Sequence, residues 1–132
     1  MKADSEMARI RSVLQHHAEF ELIILFGSLA RDAAQPHSDI DLAVSTGSPL
    51  PAEARIALIE QLASATGRPV DLVDLTQAGE PLLGQILTTG IRLKGSDEVH
   101  ARWLTRHLLD QADFVPYRDR ILAERRRTWI DA

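Results

Sequence analysis

Leu25-Phe-Gly-Ser-Leu-Ala-Arg-Asp-Ala-Ala-Gln-Pro-His-Ser-Asp-Ile-Asp-Leu-Ala-Val44 is the stretch that decides how this chain folds. It begins inside the run Glu21 to Phe26, whose aliphatic content over so short a length reads as a strand buried on both faces, and therefore central. Gly27-Ser28 ends that strand. Residues 29–37 are short, polar and closed by Pro36, leaving room for at most one turn of helix. Ser38 to Val44 then alternates strictly, with Asp39, Asp41 and Ala43 pointing one way and Ile40, Leu42 and Val44 the other. Two adjacent strands joined by a polar turn are the nucleus of the fold.

Working outward, Met7, Ile10, Val13, Leu14 and His17 recur at helical spacing behind Ser5, a candidate N-cap, and predict a first helix with one buried face. Beyond the loop 46–49, Pro51 suits a first helical turn, Ile56, Leu58, Ile59, Leu62 and Ala63 supply an apolar stripe, and Gly67 stops it. Pro69 to Leu75 reads as a strand by its Val and Leu content. Pro81 to Thr89 predicts a short helix stopped by Gly90, and Ile91 to Lys94 is short enough for an edge strand. From Asp97, Val99, Trp103, Leu104, His107 and Leu108 keep helical spacing until Pro116 forces a break, with a last helix expected over Tyr117 to Trp129. The order α-β-β-α-β-α-β-α predicts an α/β (α+β) fold, a mixed sheet of about four strands flanked by helices.

The chain's 132 residues support one core, so a single domain over 1–132 with a helical tail from about 97 to 132 is expected. A hydrophobic fraction of 45% with 26% charged residues excludes a wholly disordered chain. The longest aliphatic or aromatic run, Leu22 to Phe26, falls far short of the roughly 20 residues of a membrane span. Asp4, Glu6, Arg9 and Arg11 stand where a signal peptide needs an apolar stretch, so a cytoplasmic location is expected. The absence of cysteine excludes disulfides, thiol catalysis and Cys-ligated zinc. A net charge of −4 argues against a dedicated nucleic-acid binder, although the balance is basic from residue 99 onward.

Asp39 and Asp41 lie two apart on a strand and share a face. Like charges so close raise one another's pKa unless a cation lies between them, and paired carboxylates facing one cleft are hard ligands suited to Mg²⁺. Ser28 follows a glycine at the end of a buried strand, where backbone N–H groups and a hydroxyl can hold phosphate oxygens. Each part alone has a plainer meaning: a solvated sheet face for the carboxylates, a turn for Gly-Ser, a surface side chain for Arg31. Gathered around one turn, they are the parts of a metal-dependent phosphoryl or nucleotidyl transfer site. Asp71 and Asp74 sit on the next strand but on opposite faces, and hydrophobic phase does not say which joins the pair.

Gly-Ser, a ten-residue spacer and Asp-x-Asp, with Ala30-Arg31 and Ser38 at matching places, resemble the minimal nucleotidyltransferases of the DNA polymerase beta superfamily. Val70-Asp71-Leu72-Val73 fits that family's third carboxylate, and the resemblance spans roughly residues 5–95. It implies a polymerase beta-like fold and catalytic, metal-ligating roles for Asp39, Asp41 and Asp71 on two Mg²⁺ ions, with Asp71 serving the catalytic ion and the attacking hydroxyl. Gly27, Ser28, Arg31 and Ser38 would then bind the nucleotide, with ATP as substrate. One position departs from the family: Asp32 follows Arg31 where glycine is usual, placing a further negative charge near the triphosphate.

The same resemblance points to the antitoxins of HEPN/MNT toxin–antitoxin pairs, which silence a HEPN-domain toxin by transferring AMP to a tyrosine. The expected function is thus a Mg-dependent protein adenylyltransferase acting as antitoxin in a hetero-oligomer, without membrane or direct nucleic-acid partners. The alternatives are an antitoxin that acts by binding alone and a free-standing antibiotic nucleotidyltransferase. His16 and His17 are turned about 100° apart on a helix and do not converge on a metal, while His100 and His107 read as packing or solvent-facing groups. Arg125 to Arg127 form either a solvated face or a partner surface, and Trp103 and Trp129 are anchors of core or interface.

Overall fold

The computed structural model describes residues 2–111, with side chains from Ser5 onward. The expected break at Pro116, the helix over Tyr117 to Trp129 and the Arg125 to Arg127 run lie outside the described residues. Within them the order is α1 (Lys2–Leu14), β1 (Leu22–Phe26), α2 (Gly27–Ala30), β2 (Ile40–Ser45), α3 (Ala52–Thr66), β3 (Val70–Asp74), α4 (Leu82–Thr89) and β4 (Ile91–Lys94). A further helix, α5, covers residues 97–111. No helix among the described residues is long and apolar enough to cross a membrane.

The sheet runs β3-β2-β1-β4, so the two strands flanking the decisive turn are interior and the short β4 is an edge, as expected. β1 pairs antiparallel with β2 and β4, whereas β2 and β3 are parallel, joined by α3 as a parallel pair requires a crossover. The result is a mixed sheet with a core on each face. On one face Ile23, Leu25, Ile40, Leu42, Val44 and Leu72 pack with Ile10 and Leu14 of α1 and Leu58 and Leu62 of α3. On the other, Leu22, Ile24, Ala43 and Leu75 pack with Leu83, Ile86 and Leu87 of α4 and Trp103 of α5. Burial on both sides is why β1 reads as an unbroken aliphatic run.

Three local features differ from expectation. α1 begins at Lys2, so Ser5 lies inside the helix rather than capping it, and the helix ends before His17. His17 is nonetheless buried, with Nε2 2.8 Å from Gln61 Oε1 and Nδ1 3.2 Å from Glu19. β2 starts at Ile40, which leaves Ser38 and Asp39 in the preceding loop. The turn of helix begins at Gly27 itself, and Ala43, on the carboxylate side, is fully buried beneath α4 and α5. α3 stops as expected: Gly67 has φ +73° and donates its N–H to Ala63 O at 2.8 Å, the left-handed cap that glycine adopts without a Cβ penalty.

Candidate active site

Sheet register assembles the acidic residues. Phe26 is the Cα partner of Asp41 across β1 and β2, and Asp41 is the partner of Asp71 across β2 and β3. Residues level in adjacent strands point to the same face, so Asp41 and Asp71 emerge side by side, at the end of the face where α4 and α5 cover Ala43. Asp39, two residues before Asp41, reaches the same group: it and Asp71 both act on the Asp41 carboxyl. That carboxyl titrates above the ordinary range, first because of partial burial, then through repulsion by Asp71 and Asp39; Arg31 pulls it partly back.

Gly27 closes the site from the β1 side. Its φ is +73°, and a Cβ there would overlap the Asp41 carboxylate, so backbone conformation and contact each demand glycine. The α2 backbone therefore lies directly against Asp41, and its first N–H groups have no acceptor within the helix. Ser28 is half-buried at this turn and Arg31 exposed just after it. Between α2 and α4 opens a cleft of about 240 Å³, bordered by Phe26, Gly27, Arg31, Leu82, Gln85 and Thr89. Ser38 differs from the others, since its hydroxyl accepts the Gln35 N–H at 2.8 Å and ties down the loop.

Asp74 is directed to the opposite face with Val70 and Leu72. It is buried and accepts Leu50 N–H at 2.8 Å, Thr76 N–H at 3.0 Å and Thr76 Oγ1–H at 2.8 Å. Of the two candidates on β3, Asp71 alone stands with Asp41; Asp74 ties the loop after β2 to the turn after β3. Arg68, to which no motif pointed, binds the loop before Asp39 through its guanidinium.

The donor set suits a hard divalent cation, because the mutual repulsion of Asp39, Asp41 and Asp71 is what a cation would relieve. Among the described residues, no group of three or more His, Asp or Glu side chains is placed to hold a metal ion by itself, Asp39, Asp41 and Asp71 included. Mg²⁺ does not require one; it takes one or two carboxylates and fills its shell with water and phosphate.

A mixed sheet with a Gly-Ser turn against paired aspartates defines a nucleotidyl-transfer domain, and the chain belongs to the polymerase beta nucleotidyltransferase family, whose model matches residues 8–99. It is 37% identical over 98 residues to the protein adenylyltransferase MntA of Shewanella oneidensis, covering 74% of this chain and 70% of that protein. It also resembles a toxin–antitoxin crystal structure with AMP-PNP, at 31% identity and a TM-score of 0.74 over 89% of this chain and 95% of the other. A third relative comes from the tri-AMPylated Shewanella oneidensis HEPN toxin in complex with MNT antitoxin, with 30% identity and a TM-score of 0.61 over 89% and 98% of the respective chains.

Proposed function

We propose that this chain is a Mg-dependent adenylyltransferase that moves AMP from ATP to a tyrosine hydroxyl of a HEPN-type toxin, and that it serves as the antitoxin. The observation carrying this reading is the row Phe26–Asp41–Asp71, which sets two carboxylates beside a Gly-Ser turn with Asp39 at their edge. A module that acted only by binding would have no use for mutually repelling carboxylates around a Gly-Ser turn. The relatives' AMP-PNP complex and AMPylated toxin support the nucleotide and the acceptor.

In this reading Gly27 and Ser28 cradle the triphosphate, Arg31 steadies its charge, and Asp39, Asp41 and Asp71 hold two Mg²⁺ ions. Ser38 contributes by closing the loop before Asp39. When bound, the metal neutralises the phosphate oxygens and the charge that develops on them in transfer. The acceptor oxygen forms a bond to the α-phosphorus while the bond from that phosphorus to the bridging oxygen breaks, and pyrophosphate leaves. The hydroxyl proton passes toward the carboxylate of Asp71. The cleft between α2 and α4 is the natural place for the base, with apolar Leu82 and Phe26 beside the Gln85 amide.

The test is label transfer to a HEPN-domain toxin. Label should pass from α-labelled ATP and not from γ-labelled ATP, should need Mg²⁺, and should vanish in Asp39→Asn. A toxin that is inhibited stoichiometrically yet stays unlabelled would establish the binding-only alternative.

A further inference from the structure

Asp39 occupies an awkward place for a residue that must be accurately aimed. It is exposed, precedes the first residue of β2 and ends a polar loop of low apolar content. Two consecutive residues just before β3, Arg68 and Pro69, hold it on both sides. The Arg68 guanidinium donates from Nη1 to Gln35 O at 2.8 Å and to Ser38 O at 3.0 Å, and from Nε to Glu6 Oε2 at 2.6 Å. The Ser38 carbonyl belongs to the peptide that carries the Asp39 N–H, so this bond sets the orientation of that peptide plane. On the other side of Asp39, Ile40 N–H donates to Pro69 O at 2.8 Å. The loop end is itself closed, with Ser38 N–H on Gln35 O at 3.0 Å and Gln35 N–H on Ser38 Oγ at 2.8 Å. The guanidinium is mostly buried, its side chain 15% exposed and that of Glu6 18%, so the charge-assisted bonds are sheltered from water.

We propose that Arg68 is a positioning residue for catalysis: it clamps the loop 35–38 between α1 and β3 and thereby presents the Asp39 carboxylate beside Asp41 and Asp71. Arg68 lies three residues before Asp71 on the same chain segment, so one side chain couples the two outer carboxylates of the row. Only a planar fork with several fixed donors can meet a carboxylate and two carbonyls at once; a lysine ammonium reaches fewer of them.

The proposal rests on the adenylyltransferase reading for its consequence, and two independent measurements on the full chain separate the two. In Arg68→Ala, amide hydrogen exchange over residues 35–40 of the free protein should accelerate while exchange in β1 stays protected. Calorimetric affinity for Mg-ATP, corrected to the folded fraction, should fall roughly 10-fold or more, the usual cost of losing a support behind a metal ligand. Arg68→Lys, which keeps the charge beside Glu6, should fold even if the alanine variant does not, and should restore part of both losses. Unchanged exchange over the loop, or Mg-ATP affinity within about twofold of the wild type in folded variants, overturns the clamp. A wild-type chain that binds no Mg-ATP, with the exchange effect still present, overturns the adenylyltransferase reading instead and leaves Arg68 as a loop clamp without a catalytic role.

Discussion

Asp41, near the start of β2, and Asp74, at the end of β3, titrate in opposite directions, for reasons visible around each carboxyl. Partial burial, then Asp71 and Asp39, push Asp41 up, and only Arg31 opposes them. The folded protein therefore holds that proton more tightly than the unfolded chain. The penalty is absent below the ordinary value of 3.8 and grows as pH rises from there through the raised native pKa. At neutral pH an ionised Asp41 subtracts stability. Asp41→Asn should accordingly stabilise the metal-free protein by a few tenths of a kcal/mol once solvent screening is allowed for, read as a higher melting temperature. The same change should cut label transfer on the order of 10²-fold or more. Because a metal ligand must be ionised, the acid limb of Mg-ATP binding should lie above the pH at which an ordinary carboxylate loses its charge. A variant that labels normally with Mg²⁺ would sink the role given to Asp41.

Asp74 obeys the reverse sign. Burial works to raise its pKa, but the Leu50 N–H, both Thr76 donors and the charge of Arg55 more than compensate, so it titrates low. Its stabilisation is present above 3.8 and is lost as pH falls through the depressed native value. Asp74→Asn should cost about 1–3 kcal/mol, since buried donors lose a charged acceptor, yet keep most transfer activity. Asp71→Asn, at an exposed position, should melt like the wild type and be inactive. Denaturant unfolding beside labelling assays distinguishes the pair, and the opposite pattern would place the third carboxylate on the wrong face of β3.

At the scale of elements, what could be read in the chain and what could not follow from one distinction: periodicity shows a face, but only pairing shows which faces meet. β1 and β2 were legible because an unbroken aliphatic run and a strict alternation each have one structural meaning. Asp71 and Asp74 were not separable by pattern, since Val70, Leu72, Val73 and Leu75 give both aspartates apolar neighbours in register; the parallel pairing Asp41 with Asp71 decides. Arg68 carried no signal at all, lying between Gly67 and Pro69 in a segment that reads only as a turn. The departure at Asp32 acquires a backbone meaning: its φ is +55°, the left-handed region, immediately after α2. Glycine is at ease there, while an L side chain is strained, aspartate less than most. Asp32→Gly should therefore relieve strain, offset in part by the greater freedom of glycine in the unfolded chain, for a net gain of up to about 1 kcal/mol. Removing a negative charge beside the Gly27-Ser28 turn should also tighten Mg-ATP binding. Thermal melts and calorimetry read the two effects separately, and a loss of stability would show that the Asp32 carboxylate holds the turn in place.

For the molecule as a whole, the question is where the catalytic domain ends and its grip on a protein acceptor begins. α5 is part of the domain through residue 107. Trp103 is buried against Leu22, Ile24 and α4, and His107 packs over Gly84 with Nδ1 2.5 Å from Glu80 Oε1. Beyond it the helix's side chains are exposed, Leu108 by 62% and Leu109 by 60%. The sequence that follows carries Tyr117, Ile121, Leu122 and Trp129 interleaved with Arg118, Arg120 and Arg125 to Arg127. Large aromatic and aliphatic groups beside arginines are the composition of interface centres, whereas the core of each sheet face is already filled by α1, α3, α4 and α5. Proline is disfavoured in a helix interior, which makes Pro116 a natural point to divide the sequence, and a cut just before it spares every buried contact described above. Ending the chain after Val115 should leave a soluble domain that melts cooperatively and binds Mg-ATP as the full chain does. It should also lose most of its affinity for the HEPN-type toxin, and with it the rate of labelling at low toxin concentration. Titrating the shortened chain with nucleotide and with toxin in separate calorimetric runs isolates the two terms. Unfolding on truncation would assign the tail to the core, while full toxin affinity would move the docking surface to the rim of the cleft between α2 and α4.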